Sequence, residues 1–442
     1  MLSIKFIREN LEKVKKAILE KGVNLDLDKL LLVDEERRRL IGQLEQCKSE
    51  RNRANEKMKK LALDSEERRI IIERGKVLKD AIVKTESGLS VLEKEYNELM
   101  VTVPNIISSD TPEGASEKDN VEIFRSAKIP MFDFKPKDHI RLGRELDIID
   151  LERGAKVGGY RGYYIKNEGV SLMMGFLMYA VAKMVSKGYF PMLVPTIVKE
   201  FSLFGSGYFK GSEYNQAVDE IYQVVSSDRD SDGKIGKERK FLVGTAEPSL
   251  LAYYANDVLR EDQLPIRTCG YSQCYRSEIG SYGKDTKGMY RVHEFMKVEQ
   301  VIILRADVEE SITLQSEMVG ISKEMHEELG LPYRQIQICS GDMGLGKYRM
   351  FDIETWLPGL DRWGETGSAS NFLDWQARRL NVRYETLGGK REYVFMLNNT
   401  ALPSPRIFIA ILENYQQKDG SVIIPEVVKP YMPVKCDIIT KK

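Results

Sequence analysis

The chain has 442 residues, 42% of them hydrophobic and 30% charged, with 67 Lys and Arg matched by 67 Asp and Glu. That length exceeds one compact core and predicts two or three domains, while the even charge balance excludes any argument for a polyanionic partner from net charge alone. Five scattered cysteines (Cys47, Cys269, Cys274, Cys339 and Cys436) without CxxC spacing predict a reducing compartment and no structural zinc. The longest uncharged apolar stretch, Gly169 to Ala182, falls short of the roughly 20 residues that span a bilayer, so no membrane partner is expected. Residues Met1 to Asn10 carry Lys5, Arg8 and Glu9 with no export signal. The expected location is cytoplasmic.

From Leu30 onward a column with 3-4 spacing runs through Val33, Arg37, Leu40, Leu44, Cys47, Arg51, Ala54, Met58 and Leu61. After Leu63-Asp64-Ser65 a second runs through Ile71, Gly75, Leu78, Ile82, Thr85, Leu89, Leu92, Tyr96 and Leu99. Two heptad seams joined by a short polar turn predict an antiparallel helical hairpin, each helix about 45 Å long. Periodicity alone favours a dimerisation coiled coil. Between Lys48 and Lys84, however, twelve Lys or Arg face seven Asp or Glu, whereas the whole of Leu30 to Met100 has sixteen against fifteen. Positive charge is thus gathered toward the tip, where it suits phosphate contact, although a solvated charged face accounts for such runs too.

Val103-Pro104-Asn105 ends the second helix, and the Ser-, Asp-, Gly- and Pro-rich stretch beyond it predicts an interdomain linker. The expected division is residues 1–107, linker 108–135, and core 136–442. Val170 to Lys187 and Ala306 to Leu329 have helical patterns. Arg267 to Glu278, Val292 to Leu304, Arg334 to Cys339 and Glu392 to Asn399 have strand patterns. Several follow one another without an intervening helix, which predicts an α+β core around an antiparallel sheet.

Two strings imitate nucleotide motifs and fail chemically. Gly341 to Lys347 nearly spells a phosphate-binding loop, but Tyr348 stands where a Mg²⁺-ligating Ser or Thr is required. Lys183-Met-Val-Ser-Lys187 resembles a class I synthetase loop but lies in an apolar helical stretch, and no HxGH accompanies it. With only three His, hydrolytic triads and multi-His metal sites are disfavoured, which leaves Arg and carboxylates to carry the chemistry.

Those residues concentrate in Tyr275-Arg276-Ser277-Glu278, a loop of small residues from Ile279 to Tyr290, and Arg291-Val292-His293-Glu294-Phe295 through Glu299. Equal parity on strands puts Arg276 with Glu278, and Arg291 with Phe295 and Glu299. Guanidiniums, an aromatic plane and carboxylates on one surface suit a nucleotide. A solvated sheet face with cross-strand ion pairs would use the same residues.

The stretch Arg276-Ser277-Glu278 to Phe295 resembles motif 2 of class II aminoacyl-tRNA synthetases. Gly188 to Pro195 resembles motif 1, and Leu397-Asn398-Asn399-Thr400 through Pro405-Arg406 resembles motif 3. Val243-Gly244-Thr245-Ala246-Glu247, Phe132 to Pro136 and Phe372 to Arg379 are similar to strings of the seryl-tRNA synthetases of bacterial type, as is the helical arm. The resemblance runs in order from Met1 to about Met432. Two departures stand out: Gly364 replaces an Arg before Glu365, and Ala369 replaces a Cys between Ser368 and Ser370.

The resemblance implies an ATP-dependent serine–tRNA ligase that forms seryl-adenylate and transfers serine to tRNA(Ser), with tRNA(Sec) left open, and that works as a homodimer. It implies that Arg276 holds the α-phosphate, and Arg291 and Arg406 the outer phosphates. Phe295 would stack on adenine beside Glu278, with Ser277, Val292, Thr366 and Gly367 completing the ATP site and Glu365 and Ser368 binding Mg²⁺. Thr245, Ala246, Glu247 and Arg276 would hold serine, Glu299, Asn398 and Thr400 would read its hydroxyl, and Arg51, Arg53 and Lys57 would contact tRNA. The alternative is a paralogue that acts on a carrier protein or serves as a non-catalytic interaction module.

Overall fold

The computed structural model describes residues 1–62, 65–126, 129–225, 229, 232–234, 236, 238–279 and 287–441. Leu63 and Asp64 of the expected turn and residues 280–286 of the expected small-residue loop lie outside the described residues.

Two short helices, α1 (Ile4–Glu9) and α2 (Leu11–Glu20), precede the hairpin of α3 (Leu27–Met58) and α4 (Glu66–Val101). Asp26 and Ser65 start the long helices, their side chains accepting from the Lys29 and Arg68 amides at 2.8 and 3.3 Å, as N-caps do. At 1.5 Å per residue the helices are about 48 and 54 Å long. Every position of both sequence columns is buried or half-buried, with Leu61 just past the end of α3. The seam is thin, fully buried only at Leu30, Val33, Leu78 and Ile82. Cross-helix ion pairs flank it, among them Lys29–Glu95 at 2.7 Å and Lys48–Glu86 at 2.8 Å. Exposed pairs contribute at most about 1 kcal/mol each, so the apolar seam sets the register. At the root, Leu30 packs with Ile7, Val14, Met100 and Val103.

The core is built on an eight-stranded sheet. Its strands are β1 (Val121–Arg125), β2 (Phe190–Leu193), β3 (Ile266–Tyr275), β4 (Glu294–Leu304), β5 (Tyr333–Gln337), β6 (Arg349–Leu357), β7 (Arg362–Asn371) and β8 (Phe395–Pro403), in the order β1-β5-β6-β7-β8-β4-β3-β2. Every pairing is antiparallel except β2 with β3. The helices that pack on it are α5 (Glu168–Ser186), α7 (Glu247–Ala252), α8 (Val308–Glu328), α9 (Trp375–Leu380) and α10 (Ser404–Asn414), while α6 (Glu200–Ser206) packs on α7 and α9. The largest apolar cluster joins Phe176 of α5, Met318 of α8 and Phe408 of α10 to Val298 and Ile302 of β4. By length and composition α5 could cross a membrane, but Leu172, Phe176, Ala180 and Met184 are packed in this core. A second cluster seats α7 and α9 against Val301, Ile303 and Met396.

The α+β expectation holds, and the two long core helices fall within two residues of their expected limits. β3, β4 and β5 are shorter than their patterns. β3 ends at Tyr275 and β4 begins at Glu294, so Arg276, Glu278 and Arg291 lie beyond strand geometry and the parity argument does not apply to them. Glu278 takes φ 55°, which turns the chain out of the sheet. The expected strand Glu392–Asn399 is broken at buried Val394: residues 391–393 pair with 383–385 in a separate sheet, and β8 starts afterwards. The stretch read as a linker contributes β1 at the edge of the main sheet.

Candidate active site

Three neighbouring strands, β7, β8 and β4, carry polar side chains on the face opposite α8. From β4, Phe295, Lys297 and Glu299 alternate onto it, and from β8 Asn398 and Thr400 do so. Glu365 and Ser368 of β7 are three residues apart and would face opposite ways on a regular strand. Between β6 and β7 the register slips, however, from Ile353 opposite Gly367 to Glu354 opposite Glu365, leaving Thr366 as an extra residue. This bulge returns Glu365 and Ser368 to one face. The Thr366 side chain turns to the other side, where its hydroxyl lies 2.9 Å from His326 Nε2 and 2.7 Å from the Thr355 hydroxyl.

One end of this face is ringed by guanidiniums. Arg276 lies 5.4 Å from the Phe295 ring centre and donates through Nε to the Gly244 carbonyl at 3.3 Å. Arg406, in the first turn of α10, pairs with Glu365 at 3.1 Å and stacks 4.6 Å from the Tyr290 ring. Arg291 and Arg161 reach Glu278 at 3.5 and 3.2 Å. Between them lies a narrow slot of about 50 Å³ bordered by Phe295, Val292 and Gly367. An aromatic face beside converging guanidiniums suits a planar base carrying phosphates.

Beside the slot opens a wider cleft of about 360 Å³. On its floor Lys297 Nζ sits 2.6 Å from Glu299 and donates to the Thr400 hydroxyl at 3.1 Å. The Thr400 hydroxyl lies 3.3 Å from Glu299. Facing them, Glu247 accepts from Gln376 Nε2 at 2.6 Å. The Thr245 hydroxyl in the same wall is buried with no hydrogen-bond partner among the described residues, an arrangement that costs free energy unless a ligand supplies one. Burial, reinforced by the charge of Glu299, pushes the Glu247 carboxyl up to about 7. A cationic ligand needs the ionised form. Occupancy of this cleft by an ammonium group should therefore increase as pH rises through about 7 and level off above it. The check is a pH profile of kcat/KM for the cationic substrate, and a profile that stays flat as pH crosses neutrality would contradict this reading of Glu247.

Where slot and cleft meet, Glu365 and Ser368 stand beside Asp352 of β6. Burial and the Glu365 charge hold Asp352 well above its ordinary range. Burial alone would raise Glu365, but Arg406 and Arg276 outweigh it and hold Glu365 low. One Asp352 oxygen is buried without a partner among the described residues. An all-oxygen set with an unsatisfied carboxylate fits a hard divalent cation such as Mg²⁺.

Of the residues expected from sequence, Arg276, Glu278, Arg291, Val292, Phe295, Gly367 and Arg406 border the slot, and Thr245, Glu247, Glu299, Ser368, Asn398 and Thr400 border the cleft. Arg276, Glu365 and Thr400 border both, and Thr366 reaches the slot with its side chain on the far face. Two others sit elsewhere. Ala246 packs in the apolar cluster with Leu250, and the Ser277 hydroxyl is buried without a partner among the described residues. Neither side chain lines either cavity: Ala246, at the N-cap of α7, turns toward Gly270 and Leu250, and Ser277 lies beyond the end of β3.

Both departures from the family pattern have a physical account. A Cβ at Gly364 would lie 2.8 Å from the Tyr290 ring, so glycine lets that ring close onto Arg406 and Arg362. Ala369 faces the apolar cluster of Val319, Tyr333 and Ile353, away from the site.

Sequence reasoning does not single out Lys297, Asp352, Lys347 or Gln376, all of which the structure brings to the site. Lys297 shares the parity of Phe295 and Glu299 and is legible on that ground. Lys347 belongs to the string that fails as a phosphate loop.

On the arm, Arg53 and Lys57 are exposed, whereas Arg51 is half-buried in the seam, facing the other helix.

An antiparallel sheet with arginines converging on a narrow slot beside an aromatic face is the arrangement of a class II aminoacyl-tRNA synthetase core. The family model described as "tRNA synthetase class II core domain (G, H, P, S and T)" matches residues 230–415, and the "Seryl-tRNA synthetase N-terminal domain" model matches residues 1–107. The chain is 39% identical over 434 residues to a serine–tRNA ligase of Treponema denticola, covering 98% of each chain. It superposes on seryl-tRNA synthetase from Pyrococcus horikoshii complexed with ATP with TM-score 0.87 and 33% identity, covering 100% of both chains. A cytoplasmic serine–tRNA ligase from Naegleria fowleri in complex with AMP gives TM-score 0.85 and 30% identity over 100% of this chain and 99% of that one. The chain belongs to the seryl-tRNA synthetase family.

Proposed function

We propose that the chain is a serine–tRNA ligase that activates L-serine with ATP and transfers it to tRNA(Ser). The observation that carries this reading is the cleft floor, where Lys297, Glu299 and Thr400 form a hydrogen-bonded set opposite Glu247 and the unpartnered Thr245 hydroxyl. Serine matches it group for group. Its ammonium meets Glu247 and Thr245, its hydroxyl meets Glu299 and Thr400 with Asn398 nearby, and its carboxylate is left toward Arg276. A pocket built to bond a hydroxyl rejects alanine strongly, since its own polar groups would stay unpaired.

ATP lies in the slot, its base on Phe295 beside Glu278 and its phosphates among Arg276, Arg291 and Arg406. Glu365 and Ser368, with the free oxygen of Asp352 beside them, would hold Mg²⁺, which supplies charge neutralisation at the phosphates. A serine carboxylate oxygen bonds to the α-phosphorus while the bond to the β-phosphate oxygen breaks, and pyrophosphate leaves with that electron pair. Arg276 accompanies the charge that develops at the α-phosphate. The step asks for alignment and charge stabilisation more than proton transfer. A terminal tRNA hydroxyl then attacks the seryl carbonyl, and AMP departs.

Residues 1–107 serve as the tRNA-binding unit, 108–135 as the connection and 136–442 as the catalytic core. Edge strand β2 leaves Phe190 and Leu193 exposed by 63% and 83%, which suits a homodimer joined along that edge. We place the enzyme in the cytoplasm, away from membranes. Serine-dependent exchange of pyrophosphate into ATP tests the reading.

A further inference from the structure

We propose that the N-terminal segment forms a working wall of the serine pocket, with Lys21 a positioning residue that holds the loop Gly344–Lys347 so that Lys347 faces the bound amino acid. This rests on the function proposed above.

The loop has neither helix nor strand across 342–348, yet its carbonyls are taken up in succession by the N-terminal segment. Lys21, at the C-terminal cap of α2, donates Nζ to the Leu345 carbonyl at 3.2 Å and to the Lys347 carbonyl at 2.6 Å. The Asn105 amide donates to the Leu345 carbonyl at 2.9 Å, and its side chain donates to those of Gly346 at 3.0 Å and Phe372 at 2.8 Å. Gly346 lies flat on the Trp375 indole, where a Cβ would come within 2.6 Å. Burial, with Lys347 close by, pulls the Lys21 amine down to about 7, which suits a donor to carbonyls better than an ion pair.

What the loop carries matters to the cleft. Lys347 lines it, and its amine makes a 3.0 Å contact with Met350 Sδ. It lies within electrostatic reach of Asp352, Glu247 and Glu365, so its backbone anchors decide where this cation sits. A second contact runs the same way. The Trp375 indole donates to the Val103 carbonyl at 3.4 Å, and its neighbour Gln376 holds Glu247. The ATP slot has no comparable tie among the described residues, since Arg276, Phe295 and Arg406 are seated at the end of β3, on β4 and on α10. Loosening the loop should therefore weaken serine binding more than ATP binding.

The test is steady-state pyrophosphate exchange with the full-length protein and the variants Lys21→Met, Lys21→Gln and Lys21→Arg. Lys21→Met should raise the KM for serine about five- to tenfold, as expected when such hydrogen bonds are removed, with a smaller change in the KM for ATP and the melting temperature nearly unchanged. Lys21→Arg, which keeps a donor, should recover most of the affinity, and Lys21→Gln should fall between. If Lys21→Met does not fold, the serine KM of Lys21→Gln carries the decision. Unchanged serine KM in the folded variants would overturn the proposal, as would a fall in kcat or melting temperature with both KM values intact, because that is what a merely structural contact predicts. No serine-dependent exchange in the unmodified protein would overturn the proposed function itself, and this inference with it.

Discussion

Trimming the arm should abolish charging of tRNA and leave serine activation nearly intact. Deleting 48–82 and joining the cut ends by a short Gly-Ser turn brings Cys47 and Val83 together. The cut keeps the antiparallel register seen where Gly88 faces Leu40 and Lys29 pairs with Glu95. It removes the basic tip but leaves α1, α2 and the buried root around Leu30 and Met100, so Lys21 and Asn105 keep their grip on the pocket loop. A milder change, Arg51, Arg53 and Lys57 to Ala together, should weaken tRNA binding. It should also flatten the salt dependence by up to about 0.7–0.9 in log–log slope for each phosphate no longer neutralised. Half-buried Arg51 should contribute less of this than exposed Arg53 and Lys57. A hairpin that merely dimerises the protein predicts a monomer without either activity. Sedimentation with exchange and aminoacylation assays on the deletion variant separates the two, and normal charging by a trimmed dimer would contradict our account of the arm.

Replacing Glu299 with Gln should lower kcat/KM for serine by about 1.5–3 kcal/mol, the range for a hydrogen bond to a charged group. Shape is kept and only charge is removed. Glu299 is also the ion-pair partner of Lys297, both nearly fully buried, and removing one charge of a buried pair is destabilising. The melting temperature should therefore fall as well, and the diagnostic readout is the KM for ATP, which should not change. Unaltered serine kinetics would make Glu299 a structural strand residue.

What could be read in advance follows from periodicity. The hairpin seams, helices α5 and α8 and the shared face of Asn398 and Thr400 obey the fixed spacings of coiled coils, helices and strands, and the structure follows them. The strand-exit residues Arg276, Glu278 and Arg291 do not, because a strand ends where pairing ends and no pattern marks that point. The bulge at Thr366 is also silent in sequence, yet without it Glu365 and Ser368 could not share a face. Asp352 and Lys347 are far from the recognisable motifs, and only the β6–β7 pairing and the N-terminal clamp bring them to the site. The near-phosphate loop at Gly341–Lys347 fails on chemistry as a nucleotide motif, but a failed motif is not an idle segment.

Serine-dependent exchange of labelled pyrophosphate into ATP, with Mg²⁺ present and no tRNA, tests the central claim most directly. We expect exchange with serine and none above background with alanine or threonine. Alanine leaves Glu299 and Thr400 without a ligand hydroxyl, and threonine adds a methyl beside them. Exchange driven by another amino acid, or none from folded protein, would contradict the assignment.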